Sequence, residues 1–152
     1  MPRCPPIPYY RELGLDQNLA VTATQRAPFT AEAADILEDF RPSVVSFHFG
    51  LPSPPLLARV RSWGATILSS ATTVDEALWL EARGVDAIIA QGLEAGGHRG
   101  HFLSDDLTRQ LTTFTLIPQI VQGVNVPVIA AGGIADARGV AAARSLGAAG
   151  VQ

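Results

Sequence analysis

A chain of 152 residues, 47% hydrophobic and 16% charged with a formal net charge of -3, has the size and apolar content of one folded domain. It is too acidic for a basic nucleic-acid groove, no stretch reaches the ~20 apolar residues of a membrane span, and the opening MPRCPPIPYY lacks a signal-peptide core. The single cysteine, Cys4, excludes a disulfide within the chain and fits a reducing compartment, so the expectation is a soluble cytoplasmic protein.

Residues 1–29 are proline-rich, then polar, without a sustained period, and are expected to be irregular; the folded unit is expected over 30–152. From Thr30 the apolar residues Ala33, Ile36, Leu37 and Phe40 recur at helical spacing, and Pro42 ends the helix by disfavouring the helical region for its predecessor. VVSFHF (44–49), bounded by Gly50 and Pro52, reads as a strand. The helix PPLLARVRSW then leads through Gly64 to the strand ATILSS. Thr73 and Glu76, spaced as in a capping box, open a helix that ends at Gly84 before the strand VDAIIA. A longer segment carries the apolar helix LIPQIVQGV to the strand VPVIAA, and ADARGVAAARSL leads through Gly147 to AAGVQ.

The strands are almost wholly apolar, which marks parallel strands buried on both faces. Helix–Gly–strand repetition of this kind makes the chain α/β, either a doubly wound sheet or a (β/α)8 TIM barrel, and spacing alone leaves both open. Set against the ~250 residues of a typical barrel, the chain reads as an incomplete one. The expectation is the C-terminal five or so βα units, without the first strands and whatever follows Gln152.

Both folds gather ligands at the carboxyl ends of strands. QGLEAGGHRGHF (91–102) follows VDAIIA directly. The Gln91 amide offers donors and an acceptor, which suits a heterocycle of alternating N–H and C=O groups such as a flavin. Gly96 and Gly97 leave bare backbone for a ligand, and His98 supplies an imidazole of the kind that exchanges protons near neutrality. Glu94 is read equally as a support for His98 or as a solvated side chain. In AAGGIAD (130–136), a strand, Gly132-Gly133 and a helix start form the pattern of a phosphate site built from loop amides and a helix N-terminus. Gln152 would end the last strand beside it. His48 stands between Phe47 and Phe49, and which face of its strand it shares stays open. The three histidines have no ligand spacing, so no metal is expected.

Together, VVSFHFGLP, AQGLEAGGHRG and VPVIAAGGIADARGVAAARSLGAAGVQ resemble the nitronate monooxygenase family, formerly called 2-nitropropane dioxygenases. The resemblance runs from about Tyr9, with YYRELGLD, to Gln152. Flavin-dependent enoyl-acyl-carrier-protein reductases share the middle and last motifs, whereas SFHFG resembles the monooxygenases alone. The resemblance implies a TIM barrel binding FMN. His98 then matches the catalytic base, His48 a second histidine of the substrate pocket, and Gln91 with Gly96 the flavin contacts. Gly132 and Gly133 match the phosphate loop, and Gln152 opens the last FMN-contacting segment. The implied reaction is oxidation of alkyl nitronates, or nitroalkanes, by O2 to a carbonyl compound and nitrite. An NAD(P)H-dependent enoyl reductase and a truncated, non-catalytic fragment are the alternatives. Partners are expected to be the small substrate and O2, with neither nucleic acid nor membrane; the oligomeric state is left open.

Overall fold

A computed structural model describes residues 7–14 and 28–152; Cys4 and the rest of the opening lie outside the described residues. One correction falls in the stretch expected to be irregular: Ile7–Glu12 form a short helix, α1. Six residues are too few to show a period, and Pro8 lies in the first turn, where a missing N–H costs little.

The remaining elements alternate as expected. They are α2 (Ala31–Phe40), β1 (Val44–Phe47), α3 (Pro54–Ser62), β2 (Thr66–Ala71), α4 (Val74–Glu81), β3 (Ala87–Gln91), α5 (Thr113–Gly123), β4 (Val128–Ala131), α6 (Ala137–Ser145) and β5 (Gly150–Val151). Side chains start the helices: Thr30 accepts from Ala33 N at 3.3 Å, and Thr73 accepts from Glu76 N at 3.2 Å. Gly64, Gly84 and Gly147 follow α3, α4 and α6 with φ of +81°, +76° and +97°, which turns the chain toward the next strand.

All strands are parallel and pair in sequence order, β1-β2-β3-β4-β5. A doubly wound sheet reverses its order at a switch point; this one does not, so its curl is that of a barrel. Register sorts the side chains into two faces. Val45, Ile67, Ile88 and Val128 share one face with Phe47, Ser69, Ala71, Ala90 and Ala130, and all nine are buried. α4, α5 and α6 pack on the strands, and their Leu80, Leu116, Ile117 and Ile120 are fully buried with Ile67 and Ile88. Each such side chain contributes about 1.5–3 kcal/mol through burial.

The other face carries Ser46, Leu68, Ser70, Ile89, Gln91, Ile129 and Ala131. Burial on both faces holds for β3, all of whose residues are buried. It fails for β1, which alternates exposed and buried, because helices cover only one face and β1 lies at the sheet edge.

Candidate active site

The carboxyl ends of the strands open into a cavity of about 620 Å3. His48, Gln91 and Gln152 reach it from the ends of β1, β3 and β5, and Gly96, His98, Gly132 and Gly133 from the loops after β3 and β4. These seven residues singled out from the sequence therefore share a single hollow, whereas Gly97 and Glu94 do not line it. A second, more apolar hollow of about 880 Å3 is lined by Phe29, Phe47, Leu51, Pro52 and Leu56. His48, Phe49 and His98 belong to both and form the partition between them.

His48 follows β1 with the parity of Ser46, on the face that also carries Ser70 and Gln91. Its Nδ1 lies 2.7 Å from Ser70 Oγ, which is buried at the end of β2. With Nδ1 engaged, Nε2 is the nitrogen left to meet a ligand. The next residue, Phe49, has φ +64° and remains half exposed. A bulky residue in the left-handed region is strained, and such strain persists where surroundings impose it, often at sites of function. The Phe49 ring stands edge-on to the His98 imidazole, with centroids 6.3 Å apart.

Gln91 is both a cavity wall and a clamp. Its Nε2 donates to His98 O at 3.1 Å, and its Oε1 accepts from Gly100 N at 2.7 Å. The amide thus grips the backbone on either side of Arg99 and fixes where the loop carries His98. The imidazole itself makes no hydrogen bond among the described residues.

The two glycine-rich loops touch. A Cβ on Gly132, whose φ is +125°, would lie 2.7 Å from Thr113 Oγ1 and 2.8 Å from Ala95 N; one on Gly133 would lie 2.9 Å from Glu94 Cβ. Only bare backbone fits between the β4 loop and the β3 loop. Glu94 completes the junction by accepting from Thr113 N at 2.8 Å and Thr113 Oγ1 at 2.9 Å, at the first turn of α5. Burial works to raise the Glu94 pKa, but the bonds from its own N–H and from Thr113, with Arg99 nearby, outweigh this and hold it below 4.5. Glu94 is therefore a brace between loops, with no hydrogen bond to the His98 ring among the described residues.

The first turn of α6, the helix start expected beside the Gly132-Gly133 turn, is capped by a side chain. Asp136 accepts from Arg138 N and Gly139 N, each at 3.0 Å. Its carboxylate is held below its ordinary pKa chiefly by the Gly139 N–H.

Sequence reasoning missed Ser70, Thr113, Arg99 and Glu76. Arg99 donates to Gln91 O at 2.8 Å, to Gly92 O and to Gln110 Oε1 at 2.8 Å, stitching the loop to the end of β3. Glu76 was read only as a capping residue. Its signal was present: an acidic residue on the stripe of Ala77 and Leu80, the face that is buried. Among the described residues no cluster of histidine, cysteine, aspartate or glutamate could hold a metal, and no helix is long and apolar enough to cross a membrane.

A curled parallel sheet with ligand hollows over its carboxyl ends, a histidine-bearing glycine loop and a second glycine turn at the end of β4 define a barrel enzyme's ligand mouth. The chain belongs to the nitronate monooxygenase family, whose profile matches residues 7–152. Nitronate monooxygenase of Paraburkholderia phytofirmans is 52% identical over 118 residues, covering 78% of this chain and 32% of that protein. A probable nitronate monooxygenase of Staphylococcus haemolyticus is 42% identical over 147 residues, covering 95% of this chain and 41% of the relative. The chain thus spans about two fifths or less of the curated relatives it matches. Among solved structures, nitroalkane oxidase from Streptomyces ansochromogenes superposes with a TM-score of 0.73 at 41% identity, covering 79% of this chain and 35% of that one. FabK from Thermotoga maritima gives 0.69 at 36% identity, covering 84% and 38%. Both are similar in the sheet and in sequence.

Proposed function

We propose that the protein of which this chain forms part oxidises alkyl nitronates, or nitroalkanes, with O2 to a carbonyl compound and nitrite, using FMN. The observation that carries this reading is the shared wall of His48, Phe49 and His98, with a hollow of mixed polarity on one side and a more apolar one on the other. A nitronate is a flat anion with an alkyl tail and asks for both.

The residues fit a flavin mononucleotide. Gly132 and Gly133, packed against the β3 loop with no room for a Cβ, bring a bare-backbone turn to the cavity wall, a turn suited to a phosphate. Gly96, beside which nothing lies within 4 Å, leaves room for a flat ring system, and Gln91 and Gln152 edge the same space. Bound FMN would supply the electron transfer to O2 that side chains cannot.

The chain's own residues handle binding and the proton. His98, carried by a clamped backbone with a free imidazole, removes the α-proton of a neutral nitroalkane, or in its protonated form pairs with the nitronate. His48, oriented by Ser70, presents Nε2 as a second polar contact to the nitro oxygens. Phe49 screens the pair from water, and Phe29, Phe47, Leu51 and Leu56 receive the alkyl group.

The test is oxygen uptake by FMN-loaded protein with an alkyl nitronate, followed by His98→Asn. Nitrite release that falls by roughly 100-fold or more in the variant on neutral nitroalkane, as expected for a lost proton acceptor, supports the assignment. Consumption of NAD(P)H with an enoyl thioester, without nitronate-dependent oxygen uptake, would instead favour the reductase alternative.

A further inference from the structure

Glu76 lies on α4 and is 1% exposed. Four donors converge on its two oxygens. Oε1 accepts from Phe102 N at 2.7 Å and Leu103 N at 3.2 Å; Oε2 accepts from Thr72 N at 2.7 Å and Thr72 Oγ1 at 2.8 Å. An ordinary helix cap needs neither Phe102 nor Leu103, which are more than twenty residues away in the chain. Burying an acidic side chain is costly unless hydrogen bonds compensate, so this placement has a structural demand behind it.

The bonds continue in one direction. Thr72 Oγ1, donating to Glu76, accepts from Gln110 Nε2 at 2.9 Å. Gln110 Oε1 accepts from Arg99 Nε at 2.8 Å. Arg99 in turn holds Gln91 O and Gly92 O, while the Gln91 amide holds His98 O and Gly100 N. A buried carboxylate and a half-buried guanidinium are thus joined through two neutral groups, each donating toward the carboxylate and accepting from the guanidinium side. Such a chain polarises cooperatively, and it works with only one orientation of the Gln110 amide. Burial is the largest influence on the Arg99 guanidinium, and the charges of Glu94 and Glu76 oppose it.

We infer that Glu76 is a positioning residue for His98: one oxygen anchors the loop after the histidine directly, and the other anchors the loop before it through Thr72, Gln110 and Arg99. The imidazole stands between two arms fixed to a single carboxylate on a neighbouring helix. This rests on the functional reading above for its link to turnover, but the anchoring itself is measurable without it.

Two substitutions separate the arms. Glu76→Gln places an NH2 against donors on one side of the side chain and weakens both arms. Thr72→Val keeps the shape of a fully buried residue and cuts only the relay to Arg99. The first readout is backbone amide exchange by NMR. Exchange at Gly100, whose N–H is held by Gln91 Oε1, is expected to speed up by roughly tenfold or more in both variants, whereas Phe102 and Leu103 respond only in Glu76→Gln. Glu81→Gln, at the far end of α4, should leave all of these amides unchanged. The second readout is kinetic: kcat with nitroalkane falls by roughly tenfold in both variants while FMN affinity stays within a factor of about three, since misplacing a base by a fraction of an ångström costs rate more than binding. Loop exchange unchanged in both variants, or kcat unchanged despite faster exchange, overturns the proposal. If wild-type protein shows no nitronate-dependent turnover at all, the functional reading fails while the exchange pattern still decides the anchoring. If Glu76→Gln does not fold, Thr72→Val alone decides whether the relay holds the loop: faster exchange at Gly100 supports it, and unchanged exchange overturns it.

Discussion

His48 and Ser70 lie on adjacent strands, and their side chains meet at 2.7 Å on the face of the sheet that carries the cavity. Ser70 is buried, whereas the histidine is open to the hollow. The hydroxyl therefore sets the direction of the ring without competing for the ligand.

Ser70→Ala should free that ring. Losing a hydrogen bond of ~1 kcal/mol corresponds to roughly a fivefold loss in kcat/KM for nitronate, expressed mainly in KM. FMN affinity should stay within about twofold, because Ser70 does not line the cavity. A cofactor titration beside steady-state kinetics checks both; equal losses in the two would contradict the assignment.

Gly132→Ala and Gly96→Ala make a contrasting pair. At Gly132 the added carbon meets Thr113 and Ala95 below 3.0 Å at φ +125°, while at Gly96 nothing lies within 4 Å. The first should cost at least about 1–3 kcal/mol and abolish FMN binding. The second should leave thermal stability nearly unchanged and weaken FMN alone. Melting curves with and without FMN separate the two outcomes.

Phe49→Gly exchanges strain against function. Releasing a left-handed residue recovers ~1–2 kcal/mol, less the ~0.5–1 kcal/mol that glycine costs in chain entropy, so stability should hold or rise slightly. The His98 ring loses its edge-on partner and its screen, and KM for nitronate should increase. A variant that is at least as stable yet poorer at turnover is the expected result.

Glu94 predicts an acid effect. Its folded-state pKa is lowered, so it contributes stability that is fully present above its ordinary value of 4.5 and is lost as pH falls through the folded value. Glu94→Gln should therefore flatten the decline of stability with acid below about pH 4.5 relative to wild type. Denaturant midpoints measured from neutral pH down to about pH 3 test this; parallel curves would show that Glu94 does not bear the load.

Much of the fold was legible because each βα unit punctuates itself. Gly64, Gly84 and Gly147 close helices, Thr73 opens one, and the apolar runs between them are strands. Strand order was not legible, since an apolar run does not name its neighbours; pairing alone distinguishes a barrel from a doubly wound sheet. His48 was undecided for the same reason. Its parity has meaning only once Ser46 is registered against Leu68 and the helices are seen to cover the opposite face. The cavity residues were legible because bare glycines and imidazoles at strand ends have few structural uses. Their supports were not: Ser70, Thr113 and Gln110 are ordinary polar residues whose importance comes from partners 11 to 38 positions away.

The contact of Gly132 and Gly133 with Ala95 and Glu94 gives the two ligand loops a single mechanical degree of freedom. If the two loops carry the cofactor and the base as proposed, a shift in one is felt by the other, and cofactor grip and base placement are not independent traits. Change in this part of the molecule has to come as matched pairs of substitutions, one in each loop. The apolar hollow beyond Phe49 takes only His98 from these two loops, so on the proposed function substrate preference is freer to drift there.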